Sequence, residues 1–279
     1  MKLNIEHSTQ YHYQGEVRRS TQYLRLTPQH SRRQRILSWE LELPESATCT
    51  TDSFGNVLHV LTLDRPHETL SIHAHGVVEI IDDDDDEDQR VSPLIFLRQS
   101  DLTRPDPAII GFAEGYRHLP NRLEALKLLM TDLLGLMPYC PGSTGVEWNA
   151  AQAFAAGQGV CQDHTHVFLS CCRLLGIPAR YVSGYLYSPD SSHVATHAWA
   201  EAWVDESWHT FDVTNQCTTP SQHLKLAIGI DYLDACPVRG VRYGGGNETM
   251  HAQAAVNLFD VGRQEQWSPD IITTARDRA

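Results

Sequence analysis

Residues 159–168 read GVCQDHTHVF, and the fold of the second half of the chain turns on what Cys161 does there. Gly157 and Gly159 interrupt the chain just before the cysteine. Behind it Val167, Phe168, Cys171, Leu174 and Leu175 recur at helical spacing until Gly176-Ile177-Pro178 stops the run. The thiol therefore falls at a helix N-terminus, where unpaired N–H groups and the positive dipole end favour a thiolate. The glycines let the backbone come close to whatever the sulfur attacks. Cys171 and Cys172 fall inside the helix and read as structural thiols.

A thiolate nucleophile works with an imidazole that a carboxylate or amide orients. The chain has fifteen histidines, so strand geometry must choose among them. After the helix, ARYVSGYLY (179–187), HAWAEAWVD (197–205) and SWHTFDVTN (207–215) read as three consecutive strands. On the second, His197, Trp199, Glu201 and Trp203 share one face. The small residues Ala198, Ala200, Ala202 and Val204 share the other and can lie against the helix. A hairpin turning at Asp205-Glu206 puts Asp212 opposite Trp199 and diagonal to His197, on the same face. A slip of one residue would separate them.

Upstream the texture differs. Residues 1–81 alternate as strands: YLRLTP (23–28), RILSWELELP (35–44), NVLHVLTL (56–63) and TLSIHAHGVVEII (69–81), with a turn at DSFGN (52–56). They predict an antiparallel β-sandwich. The run DDDDDED (82–88) is too densely charged to bury, and reads as a solvated linker over 82–92. From residue 93 helical signals dominate. In 121–137, Leu123, Leu126, Leu129, Leu133 and Leu134 form one stripe, and 149–157 is a short helix capped by Asn149 and ended by Gly157. The expected organisation is a β-rich domain at 1–81, the acidic linker, and a catalytic domain at 93–279.

Net charge is −13, from 22 basic and 35 acidic side chains, which argues against nucleic acid or an anionic membrane as partner. The N-terminal residues lack the apolar core of a signal peptide, and no run reaches membrane-spanning length. Seven cysteines, two of them adjacent, do not suit a secreted disulfide framework. Cytoplasmic residence is the expectation.

The motifs GVCQDHTHVFLSCCRLLGIPARYVSGY (159–185), THAWAEAWV (196–204) and WHTFDVTN (208–215) resemble the transglutaminase-like superfamily of papain-like fold. They are closest to its bacterial branch of cysteine proteases. YLRLTP and DSFGN are similar to that branch's N-terminal region, and LAIGIDYLDACPVRGVRYGGG (226–246) to its block after the last catalytic strand. The resemblance implies an α+β fold: an N-terminal β-sandwich, then a transglutaminase-like core whose helix carries the cysteine and whose antiparallel sheet carries the histidine and aspartate. It implies Cys161 as nucleophile, His197 as base and then acid, and Asp212 as the group fixing the histidine tautomer. These are the residues already selected by strand geometry. It also implies cleavage of a peptide or isopeptide amide through a thioester, without metal or cofactor. Two positions depart from the pattern. Val213 stands where a proline is usual, which should loosen the turn after Asp212, and Ile230 stands where an arginine is common.

Other readings compete. Cys161, His164, His166, His193, His197 and His209 could supply a zinc site, but His164 and His166 point in different directions on a helix and are expected at the surface or partly packed. A dead binding module would typically have lost the cysteine or histidine. Acyl transfer to an amine uses the same thioester. Trp148, Trp199, Trp203 and Trp208 could wall a water-poor channel for the amine. Glu201, between two of them, would keep that channel wet if it faces the cleft. Hydrolysis is thus the expected fate.

Overall fold

The computed structural model describes residues 1–81, 91–189 and 196–259. Most of the expected acidic linker (residues 82–90) and His193 lie outside them. In chain order come β1 (Lys2–Leu24), β2 (Gln34–Glu42), β3 (Thr48–Thr51), β4 (Val57–Leu63), β5 (His67–Ile80), a 3-10 turn (Pro93–Leu97), α1 (Pro107–Glu114), α2 (Arg122–Leu136), α3 (Ala150–Ala156) and α4 (Cys161–Leu174). Then follow β6 (Ala179–Leu186), β7 (His197–Val204), β8 (Ser207–Phe211), β9 (His223–Gly229), α5 (Tyr232–Ala235), β10 (Val238–Gly244) and β11 (Glu248–Leu258).

The alternating N-terminal segments form a seven-stranded antiparallel sheet built around β1. Its first half pairs with β5 and β11, and its second half with β4 and β10. The register breaks between His12 and Val17, and Gly244, Gly245 and Gly246 take positive φ beside it. Such breaks let strands turn a corner. Both halves contribute to one apolar cluster that includes Leu3, Ile5, Leu24, Leu61, Ile72 and Val256, and Tyr185, Leu224 and Leu226 of β6 and β9 join it, so this strand-rich region packs on those strands. The division of the chain at residues 81 and 93 does not anticipate the return of β10 and β11 to this sheet. That pairing joins segments more than two hundred residues apart, and no local pattern announces it.

A four-stranded antiparallel sheet, ordered β8-β7-β6-β9, carries the rest. Ala198, Ala200, Ala202 and Val204 of β7 pack with Val167, Phe168 and Cys171 of α4, as their small size allows. The stripe of α2 joins this core through Leu126, Leu129 and Leu133. The opposite face, with Val182, Trp199, Trp208 and Ile228, meets Phe54 from the first sheet and Phe96 from the 3-10 turn.

The β7–β8 hairpin has the expected register: Val204 pairs with Ser207 and Ala200 with Phe211. Its two loop residues, Asp205 and Glu206, both take positive φ (50° and 64°), the signature of a type I′ turn. Left-handed backbone is costly for a glutamate, so the double substitution Asp205→Asn with Glu206→Gly should stabilise the protein by about 1 kcal/mol without altering turnover. Urea unfolding measures it; a loss of stability would mean the side chains themselves hold the turn.

Candidate active site

Cys161 is the first residue of α4 and is partly exposed. Its N–H, in the first turn, has no acceptor within the helix. Gly157 ends α3 in the left-handed conformation (φ 63°), and the chain then crosses to α4 past Tyr139, whose backbone bridges Gly159. Asp163, buried in the first turn, accepts hydrogen bonds from the Val160 N–H (2.8 Å) and the Thr144 hydroxyl (2.6 Å). This caps the helix, as an acid in that position should.

Gly159 has no room for a side chain: a Cβ there would sit 2.7 Å from Asp163 Cβ and 2.9 Å from its Oδ2. Gly159→Ala should therefore dislodge the cap and shift Cys161. A displacement near 1 Å at a reacting atom costs of order 10²-fold in turnover. Steady-state kinetics reads this, and an unchanged kcat would show that the cap does not position the sulfur.

His197 opens β7, and Asp212 directly follows β8. The imidazole Nε2–H donates to Asp212 Oδ2 at 2.7 Å. The Cys161 thiol lies near enough to the same ring to help raise its pKa. With Nε2 committed to the carboxylate, the sulfur's partner is Nδ1. The structure thus brings together the three residues selected from the sequence. Burial by itself would lower the His197 pKa, but the bond to Asp212 and the nearby Cys161 outweigh it and push it up to about 10. Asp212 is fully buried, which would raise its pKa, yet the donors from His197 and His223 hold its carboxyl below the ordinary range.

His223 was not legible as a site residue. Its Nε2–H donates to Asp212 Oδ2 at 2.9 Å, and its ring lies edge-on to Trp199 at 4.9 Å. Asn215 adds a side-chain N–H to Oδ2 (2.8 Å) and its backbone N–H to Oδ1 (3.1 Å). The carboxylate is thereby held on all sides.

Residues 111–213, which contain Cys161, His197 and Asp212, match the model of the transglutaminase-like superfamily, and residues 3–79 that of the bacterial transglutaminase-like N-terminal region. These two stretches are transglutaminase-like by sequence. The chain is 29% identical, over 267 residues, to an uncharacterised protein of Mycobacterium leprae, covering 88% of this chain and 94% of that one. It is 28% identical over 290 residues to another of Mycobacterium bovis, covering 89% and 90%. The crystal structure of a "Putative Cysteine Protease from Cytophaga hutchinsonii" is similar in fold, with TM-score 0.75 and 23% identity over 93% of this chain and 92% of that one.

Several expectations about the surroundings need correcting. His164 and His166 are fully buried rather than surface residues. His164 donates to the Met137 carbonyl (2.8 Å) and accepts from the Thr214 hydroxyl (2.9 Å), tying α4 to the segment after Asp212. Burial lowers its pKa, so it serves as a neutral strut. The turn after Asp212 is not loose despite Val213. Asp212 and Cys217 exchange two backbone hydrogen bonds (2.8 and 3.1 Å), and Val213 is buried in the core. Glu201 does not face a cleft: it is 1% exposed and paired with Arg180 (2.6 Å) and Lys225 (2.6 Å). Trp199 and Trp208 are core residues, and Trp148 and Trp203 pack against core clusters. The expectation for Cys171 and Cys172 agrees with their burial, which pushes the Cys171 thiol up to about 12. His209 caps the Val204 carbonyl, remote from any shared ligand set with Cys161.

Proposed function

We propose that this protein is a thiol hydrolase that cleaves a peptide or isopeptide amide through a thioester on Cys161. The observation that carries the reading is the ring of His197 set between the Cys161 sulfur and the buried Asp212 carboxylate. As an imidazolium its two N–H groups serve both neighbours at once.

The steps follow from those positions. The Cys161 sulfur attacks the amide carbon, and the oxyanion that forms is met by the Cys161 N–H at the mouth of α4. His197 delivers its Nδ1 proton to the departing amine, leaving the thioester. Water then attacks the thioester, His197 takes up the water's proton, and collapse releases the carboxylic acid and returns the sulfur. Asp212 keeps Nδ1 aimed at the sulfur throughout. His223 and Asn215 act through Asp212 and are positioning residues.

Glu201 lies in the core, paired with Arg180 and Lys225, and does not wet the cleft. Hydrolysis rests instead on the tryptophans: an amine acceptor must be desolvated to lose its proton near neutral pH, and the aromatic residues suited to that are committed to cores. We propose cytoplasmic residence from cysteine usage, seven free thiols with two of them adjacent.

The test offers peptides and isopeptides with and without a millimolar primary amine and reads products by mass. Cleaved peptide should dominate in both arms. An amine-substituted product as the main species would make the protein an acyl transferase, and an iodoacetamide reaction at Cys161 no faster than at the other thiols would remove the nucleophile.

A further inference from the structure

A second cluster of ligand-forming side chains lies on the first sheet, away from Cys161. His73 and His75 are two apart on β5, so their rings leave the same face of the strand. They stand on the solvent side, since Ile72 and Ala74 fill the core. Across the ladder, β2 sets Glu42 opposite His73 and Glu40 opposite His75. The local sequences His-Ala-His and Glu-Leu-Glu thus interlock as a square of two imidazoles and two carboxylates.

Glu42 reaches both rings. Its Oε1 accepts from His75 Nε2 at 3.2 Å, and its Oε2 lies 3.6 Å from His73 Nδ1. The two rings are nearly stacked with centroids 4.9 Å apart, and Glu40 Oε2 is 3.8 Å from His75 Nε2. One ligand atom from each of His73, His75 and Glu42 falls within 4.8 Å of the others.

We propose that this face binds a divalent transition metal of the zinc class through His73, His75 and Glu42. Donors about 2.0–2.2 Å from a tetrahedral zinc ion are about 3.4 Å from each other. Each ring already has one oxygen of Glu42 near that distance, a different oxygen for each ring, so rotation of side chains is what brings one donor from each residue to a common ion. Neutral imidazole with carboxylate is a donor set that suits zinc rather than magnesium or calcium. The side chains are one-third to one-half exposed, which leaves the fourth position open to water or to Glu40. Because β2 ends the strand order of its sheet, the ion would clip that edge strand to β5.

The experiment uses the full-length chain carrying Cys161→Ala, which removes the competing thiol–imidazole pair, and compares it with the same chain also carrying His73→Ala and His75→Ala. Zinc is titrated by calorimetry, and cobalt by its visible absorption. The parent should bind one equivalent at this face, with a four-coordinate cobalt spectrum lacking a thiolate charge-transfer band. The variant should lose that equivalent. Glu42→Gln alone should weaken binding by about tenfold, which is about 1.4 kcal/mol. Equal zinc uptake by parent and variant would overturn the proposal, as would a cobalt spectrum showing thiolate ligation.

Discussion

Replacing Cys161 with alanine should reduce turnover by about 10³-fold or more and leave the fold intact. The thiol is only partly buried, at the first position of α4, and the cap of that helix is made by Asp163, not by sulfur. Alanine is the best helix former and fits there without strain. Far-ultraviolet circular dichroism and Tm should therefore barely change while the rate collapses. The contrast is with Cys171 and Cys172, which are fully buried in the core. Their replacement should lower Tm and leave turnover in place, because a cavity in a close-packed interior is costly. Retained turnover in Cys161→Ala would end the assignment of the nucleophile.

The second large effect belongs to the pair His197–Asp212. His197→Ala should cost about as much as Cys161→Ala, and the double variant with Asp212 little more, since residues acting as one unit are not additive. The carboxylate needs a careful substitution. Asp212→Ala would strand the buried His223 donor, besides removing the acceptor of Asn215, and should cost about 3–5 kcal/mol of stability as well. Asp212→Asn keeps the volume but sets an NH2 donor where the carboxylate accepted, forcing His197 into the wrong tautomer; a loss of up to about 10⁴-fold is the scale for that change in a serine protease. The pH dependence has a definite sign. Because the folded pKa of His197 is raised to about 10, its contribution to stability is fully present below about pH 6.5, the ordinary histidine value, and is lost as pH rises toward 10. Asp212→Asn should flatten that dependence of Tm on pH. Strictly additive losses in the cycle would mean that the two side chains do not work together.

What could be read in advance was local. The helix at Cys161, the leucine stripe of α2 and the Asn149 cap follow from spacing within a few residues. The pairing of His197 with Asp212 also yielded, because a tight hairpin converts sequence distance into a cross-strand address. His223 did not yield. It lies on β9, whose partner is β6, and its approach to Asp212 depends on the order of strands across the sheet. Glu201 misled for the same reason: Arg180, beside it on β6, and Lys225 on β9 come from other strands, and alternation specifies a face but not what covers it. The buried His164 and His166 were misjudged because a polar residue on a helix facing the core looks, in sequence, like one facing water until its acceptors are known.

The pairing of β1 with β10 and β11 bears on how the molecule is made. β1 is synthesised more than two hundred residues before β11 and can complete its hydrogen bonding only after residue 258 has followed. Closing so long a loop is slow, and until it closes the free edge of β1 is open to wrong partners. Removing the last strand should thus do more than shorten the tail: it should leave a nascent-like chain prone to aggregate, even with every residue around Cys161 still present.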